Sequence, residues 1–376
     1  MLNNFFVSRF LKTLALLTFA QSLPLAAGAQ TENLNAPLPV VQNETHTTNT
    51  SDSTSTTRTT TTTTTTTTTR TTQHSGVVTN HPRVIIALGG GGTRGCAHIG
   101  VLRVLEKEGI KIDGIAGTSI GAIIGGLYAA GVSLDEIEER ILNRSLLKSF
   151  QTVPIPVRVA VIPVFFIPHL FGYHPYDGLY KGNRFRNYLN DSVPEGNREI
   201  ESLKMPFVAV ASNLLDAKPY AIGKGNLGRA IQASSAIPVL RRPVVIDDKL
   251  LIDGGLQANL PAKQARAMGA DIVIAVNVDE QFNKDVSKKS FRKIGSVSHR
   301  VINMILAKVD EDQINAADIL ICPEVNNIQI LSSKSRDARN AIAAGEKATK
   351  AMVDQIKARI SSPIKPKVAE QLSAPE

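Results

Sequence analysis

Ile112-Asp113-Gly114-Ile115-Ala116-Gly117-Thr118-Ser119-Ile120-Gly121-Ala122-Ile123-Ile124 is the stretch around which the rest of the chain is organised. A short apolar run enters Gly117-Thr118-Ser119-Ile120-Gly121, of the form Gly-x-Ser-x-Gly, and an apolar helical pattern leaves it. Strand, sharp turn and helix form the context in which this pattern makes a nucleophile elbow. The turn forces strained backbone angles on Ser119, and Gly117 and Gly121 keep clashes away. The hydroxyl then stands at a helix N-terminus, where developing negative charge is favoured.

Upstream, Val84-Ile85-Ile86-Ala87-Leu88 is continuously apolar and β-branched, as expected of a strand buried on both faces. It runs into Gly89-Gly90-Gly91-Gly92-Thr93-Arg94-Gly95, and a helix follows to a stop at Gly109. The alternation of strand, glycine loop, helix, strand, elbow and helix predicts an α/β sheet with parallel central strands. Ligand chemistry in such sheets lies at the carboxyl ends of the strands, where both motifs fall. Glycine residues let backbone amides converge on one cavity, so the loop is a candidate donor set for an oxyanion. Arg94 is expected to add a fixed positive charge there. The loop also satisfies Gly-x-Gly-x-x-Gly at Gly90, Gly92 and Gly95. The second strand nevertheless lacks the acidic residue that holds a ribose, and no Gly-Lys-Ser/Thr follows. No nucleotide is expected.

Asp253 ends a predicted strand, in Leu250-Leu251-Ile252-Asp253-Gly254-Gly255, and the two glycines leave its carboxylate room. A Ser-His-Asp triad in the order of α/β hydrolases needs a histidine after Asp253. Only His299 follows, within a predicted helix beside Arg292, Lys293 and Arg300, a pattern that reads as a solvated basic face. His98, four residues after Arg94, reads as making a local hydrogen bond. The residues therefore favour a dyad, with Asp253 taking the Ser119 proton directly. A triad through His299 and a non-catalytic lipid-binding module are the alternatives. Aspartate is a weak base at about 3.9, so partial burial that raises this value would help it.

The chain has 376 residues, 43% of them hydrophobic and 20% charged, with no Trp and a net charge of +9. Residues 1–29 read as a secretory signal peptide, with Arg9 and Lys12, an apolar stretch from Leu14 to Ala20 and the small-x-small site Ala27-Gly28-Ala29. An uncleaved anchor is the other reading. Export is expected, to the periplasm, the outer-membrane surface or beyond. The remaining positive excess favours anionic lipid surfaces or serves solubility alone. No dense basic patch interleaved with aromatics supports nucleic acid as a partner. Residues 30–80, with threonine from Thr59 to Thr69, have almost nothing to bury and read as a disordered linker. The folded domain is expected over 81–360, with a frayed tail at 361–376. Within it, Ser133-Leu134-Asp135-Glu136 is a capping box. The apolar segment 153–171 carries Pro154, Pro156, Pro163 and Pro168, and reads as a lid that meets lipid or as a loop packed in the core. Hairpin strands are expected near 206–222 and 244–252, helices at 227–234, 261–268, 290–309 and 338–360, and strands at 271–278 and 319–322. Cys96 and Cys322 have no metal or redox spacing. They either pair or are small buried residues.

Glycine loop, Gly-x-Ser-x-Gly and Asp-Gly-Gly, in this order, resemble the patatin-like phospholipase family, and most of all the bacterial branch akin to the neuropathy-target-esterase catalytic domain. Gly95-Cys96-Ala97-His98-Ile99-Gly100-Val101-Leu102, Ala233-Ser234-Ser235-Ala236-Ile237-Pro238 and Leu251-Ile252-Asp253-Gly254-Gly255-Leu256-Gln257-Ala258-Asn259-Leu260-Pro261 extend the match. The resemblance implies a three-layer α/β/α sandwich without metal, cofactor or nucleotide. It implies Ser119 as nucleophile, Asp253 as proton acceptor, and an oxyanion hole from the loop about Gly90, Gly91, Gly92 and Arg94. The implied activity is hydrolysis of acyl esters in phospholipids, lysophospholipids or neutral lipids at a membrane surface.

Overall fold

The computed structural model describes residues 81–151, 176–280, 282, 286–292 and 296–363. The expected leader at 1–29, the linker at 30–80, the segment 153–171 and all but the start of the tail at 361–376 lie outside the described residues.

The first strand, β1 (Val84–Leu88), is buried throughout, as its unbroken apolar sequence requires. A short 3-10 turn (Gly92–Cys96) leads into helix α1 (Ala97–Lys107). Strand β2 (Gly114–Thr118) and helix α2 (Ile120–Ala129) follow. Helix α3 (Leu134–Leu142) starts where expected: the Ser133 hydroxyl accepts the Glu136 amide at 3.2 Å. The two helices α4 (Ser145–Phe150) and α5 (Asn183–Asp191) were not anticipated. α5 buries only Phe185 and Leu189, too few apolar positions to declare a helix in sequence.

Strands β3 (Phe207–Asn213) and β4 (Lys218–Ile222), helix α6 (Leu227–Ser234), and strands β5 (Val244–Ile246) and β6 (Lys249–Asp253) come next. Helix α7 (Ala262–Ala267), strand β7 (Ile272–Val276), helix α8 (Ser296–Ile314), strand β8 (Ile319–Ile321) and helices α9 (Ser335–Lys350) and α10 (Val353–Ser361) complete the domain. One closing helix over 338–360 is thus corrected to two, which part at Ala351 and Met352. No proline or glycine marks that break.

These strands form one sheet in the order β5-β6-β3-β2-β1-β7-β8, with β4 also on β3. The five from β3 to β8 are mutually parallel, whereas β4, β5 and β6 enter through antiparallel pairings. Val84, Ile86 and Leu88 point to a core shared with α1, α2, α6 and α9, while Ile85 and Ala87 pack with Ala262 and Ala265 of α7. The period of two along each strand therefore produces a three-layer α/β/α sandwich. Among the described residues, no helix is long and apolar enough to cross a membrane. Cys96 and Cys322 are both free, with Cys96 buried and its thiol pushed up to about 12 by burial. Cys322 is only half-buried.

β3 changes partner partway along one edge. Its residues Phe207–Val210 pair with β2, ending at Thr118↔Val210. Its next residues, Ala211–Asn213, pair with β6, starting at Asp253↔Ala211. β4 lies along both sets, so it occupies the opposite edge. Because β2 runs parallel and β6 antiparallel to β3, their carboxyl ends meet head to head on that shared edge.

Candidate active site

The register fixes which groups converge. Leu88 is level with Gly117 on β2 and with Val276 on β7, so the loops after β1 and β2 leave the sheet side by side. Ser119 is the residue after β2. Its φ of 53° and ψ of −117° lie where a side chain is strained, and it is the N-cap of α2. Two motif glycines make the turn possible by close approach. A Cβ on Gly121 would stand 2.1 Å from the Leu88 carbonyl oxygen, and one on Gly254 would stand 2.2 Å from that of Val210. Gly117 and Gly95 sit against Ala122 and Ile120 in the same way.

The Ser119 hydroxyl donates to Asp253 Oδ2 at 2.7 Å. The Gly255 amide donates to Asp253 Oδ1 at 2.9 Å. Asp253 is 8% exposed, and burial raises its carboxyl from 3.8 to about 6 against the opposing pull of these two donors. Among the described residues, no imidazole stands between Ser119 and Asp253, which bond directly. His299 lies on α8, and its side chain is outside the described ones. His98 makes its expected local bond with the glycine loop: Nε2 donates to the Gly89 carbonyl at 2.7 Å. The ring is wholly buried, which lowers its pKa to about 4 and keeps it neutral.

The glycine loop needs two corrections. The Gly90 amide donates to the Asn259 carbonyl at 3.0 Å, so it is not available to an oxyanion. The amides of Gly91 and Gly92 have no protein acceptor among the described residues. Arg94 supplies no charge to the Ser119 hydroxyl or Asp253. Its guanidinium is buried, with Nε donating to the Ile328 carbonyl at 2.8 Å and the fork reaching Asn303 at 3.5 Å and Glu280 at 3.9 Å. It ties the loop down from behind.

Two groups were not singled out in sequence. The Ser234 hydroxyl, fully buried at the end of α6, accepts the Ser119 amide at 3.0 Å and donates to the Val210 carbonyl at 2.6 Å. It therefore fixes the elbow to β3. Asn259 holds Gly90 through its carbonyl and donates its side-chain amide to Asp279 at 2.9 Å. Asp279 and Asp310 are both buried, and burial together with the neighbouring Asp279 charge pushes the Asp310 carboxyl up to about 8. Ser234 and Asn259 both fall in the stretches that carried the family resemblance, which was the available signal. A surface hollow lined by Lys111, Asp113, Tyr128 and Lys204 lies at the amino ends of β2 and β3, away from Ser119. Among the described residues no cluster of metal-ligating side chains occurs.

Chemically, a strained serine held on a carboxylate of raised basicity, at a helix N-terminus, suits attack on a carbonyl carbon. The patatin-like phospholipase family model matches residues 86–266. An uncharacterized NTE family protein of Mycobacterium tuberculosis is 36% identical over 204 residues, covering 54% of this chain and 50% of that protein. Patatin-like phospholipase domain-containing protein 6 of Homo sapiens is 35% identical over 206 residues, covering 54% of this chain and 14% of that protein. The chain thus spans at most about half the length of these relatives. Of solved structures, VipD of Legionella pneumophila aligns with 74% of this chain and 67% of its own, with a TM-score of 0.41 and 14% identity. Residues 86–266, which hold the glycine loop, Ser119 and Asp253 in order, match the patatin-like phospholipase family, and the chain is similar there to the NTE family proteins.

Proposed function

We propose that the protein is an exported serine-dependent lipid acyl hydrolase that works through a Ser119–Asp253 dyad. The single observation that carries this reading is the 2.7 Å bond from the strained Ser119 hydroxyl to the buried carboxylate of Asp253. In the first step Asp253 Oδ2 takes the hydroxyl proton as Ser119 Oγ attacks the ester carbonyl. The tetrahedral oxyanion faces the Gly91 and Gly92 amides at the start of the loop. The leaving alcohol takes the proton back from Asp253, and an acyl-enzyme remains. Water then repeats the sequence, giving up a proton to Asp253 and releasing the fatty acid as Ser119 is reprotonated.

Lipid esters are the proposed substrates, among them phospholipids and lysophospholipids, which agrees with the family and with its human relative's name. Product analysis on mixed phospholipids and lysophospholipids tests the reading. Ser119→Ala and Asp253→Ala should each remove fatty-acid release and labelling by a fluorophosphonate probe, in protein that stays folded. Full turnover in either variant refutes the dyad.

A further inference from the structure

Helix α8 is turned inside out. Its inward side is polar: Asn303 is buried against Arg94 and donates to Glu280 at 2.8 Å, Arg300 donates to Glu280 at 2.9 Å, and buried Asp310 accepts the Leu260 amide at 2.8 Å. Buried Gln313 accepts the Lys263 amide at 2.8 Å. Its outward side is aliphatic. Val297 is 57% exposed, Val301 46%, Ile302 47%, Met304 56% and Ile305 51%. Val297, Val301, Met304 and Ile305 recur at helical spacing, so they form one stripe. Contiguous apolar surface of this kind marks a contact with something apolar.

Three observations say what that contact is. The stripe adjoins the site: the Gly254–Leu256 turn, directly after Asp253, packs against α8, and Leu256 is 41% exposed. Beside the glycine loop, Leu331 is 51% exposed and follows Ile330, whose carbonyl accepts the Thr93 amide. The approach to α8 is basic, with Lys288, Lys289 and Arg292 exposed on the short turn before it. Finally, the outward face of α8 has no aromatic residue, whereas protein–protein interfaces are anchored by Trp, Tyr and Arg. Aliphatic side chains flanked by lysine and arginine match the acyl and headgroup layers of an anionic bilayer.

We propose that the outward face of α8, with Leu256 and Leu331, seats the protein on an anionic phospholipid bilayer and brings Ser119 to the lipid surface. The inference rests on lipid as the substrate class. Docking is therefore measured without turnover, so that its failure is separate from failure of the hydrolysis reading.

The experiment is cosedimentation of the full chain, carrying Ser119→Ala, with vesicles of phosphatidylglycerol and phosphatidylcholine in equal amounts. Val301→Asp with Ile305→Asp should lower vesicle partitioning by about tenfold or more. Val301→Leu with Ile305→Leu should keep it, and pure phosphatidylcholine should bind the parent protein more weakly. Far-ultraviolet circular dichroism and melting of each variant report folding. Unchanged partitioning in the aspartate variant overturns the proposal. So does a dimer in light scattering that the aspartates convert to monomer, because a second copy is then the occupant. Partitioning that survives the aspartates but is lost on deleting residues 152–175 assigns docking to that segment, and also overturns it.

Discussion

Asp253→Asn should stabilise the protein while abolishing turnover. Burial raises the Asp253 carboxyl from 3.8 to about 6, so the folded state holds this proton more tightly than the unfolded chain does. The sign follows directly. Below about pH 3.8 both states are protonated and the group costs nothing. As pH rises towards about 6 the unfolded chain loses its proton first, and stability falls through that window. Above it the folded protein carries the full cost of a buried charge. The gap between 3.8 and about 6 corresponds to about 3 kcal/mol. Asparagine removes the charge and keeps an oxygen for the Gly255 amide, though a neutral acceptor forgoes about 1 kcal/mol. The expected net gain at neutral pH is about 2 kcal/mol. Urea unfolding of both proteins from acidic to neutral pH measures it. The variant should be the more stable at neutral pH, with an advantage that vanishes in acid. A variant that is less stable at neutral pH, or an advantage independent of pH, refutes the reasoning.

In the wild type, the specificity constant on a soluble ester should rise with pH to a plateau above about 6, because Asp253 must be ionised to accept the serine proton. A rate that is flat through that range in a pH profile excludes Asp253 as the base. Ser234→Ala leaves the part-buried Ser119 amide without its acceptor and should cost about 1–2 kcal/mol in unfolding experiments, together with a lower kcat at little-changed KM. Gly121→Ala forces a methyl into the Leu88 carbonyl and should cost more than about 3 kcal/mol, seen as loss of soluble folded protein. Asp310→Asn should remove the decline in stability that the Asp279–Asp310 pair imposes as pH rises towards about 8; a decline as steep as in the wild type would assign it elsewhere.

The parts legible in sequence were those whose cause is local. β1 is written in five consecutive apolar residues, the elbow in its glycines, and the start of α3 in Ser133 and Glu136. What was not legible depends on partners far along the chain. Arg94 looks like a site cation until Ile328, Asn303 and Glu280 take its guanidinium, more than 180 residues later. Gly90 looks like a donor until Asn259 claims its amide. The predicted helix at 290–309 read as a solvated basic face because Arg292, Lys293 and Arg300 are conspicuous. In the fold Arg300 turns towards Glu280, and the aliphatic residues face outward. The pairing of Ser119 with Asp253 was inferred from a missing histidine, and no local pattern could give its distance.

That distance is set by β3 acting as a ruler. Ser119 and Asp253 lie 134 positions apart in the chain, yet each is fixed within a residue of consecutive rungs, Val210 and Ala211, on one strand edge. An insertion of one residue at that junction would slide β6 by about 3.3 Å and turn Asp253 to the other face of the sheet. The long excursion between the two halves is free to grow or shrink; the two rungs are not. Length variation among descendants of this sequence should therefore accumulate in the loops and spare the Val210–Ala211 junction, whatever substrate each descendant takes.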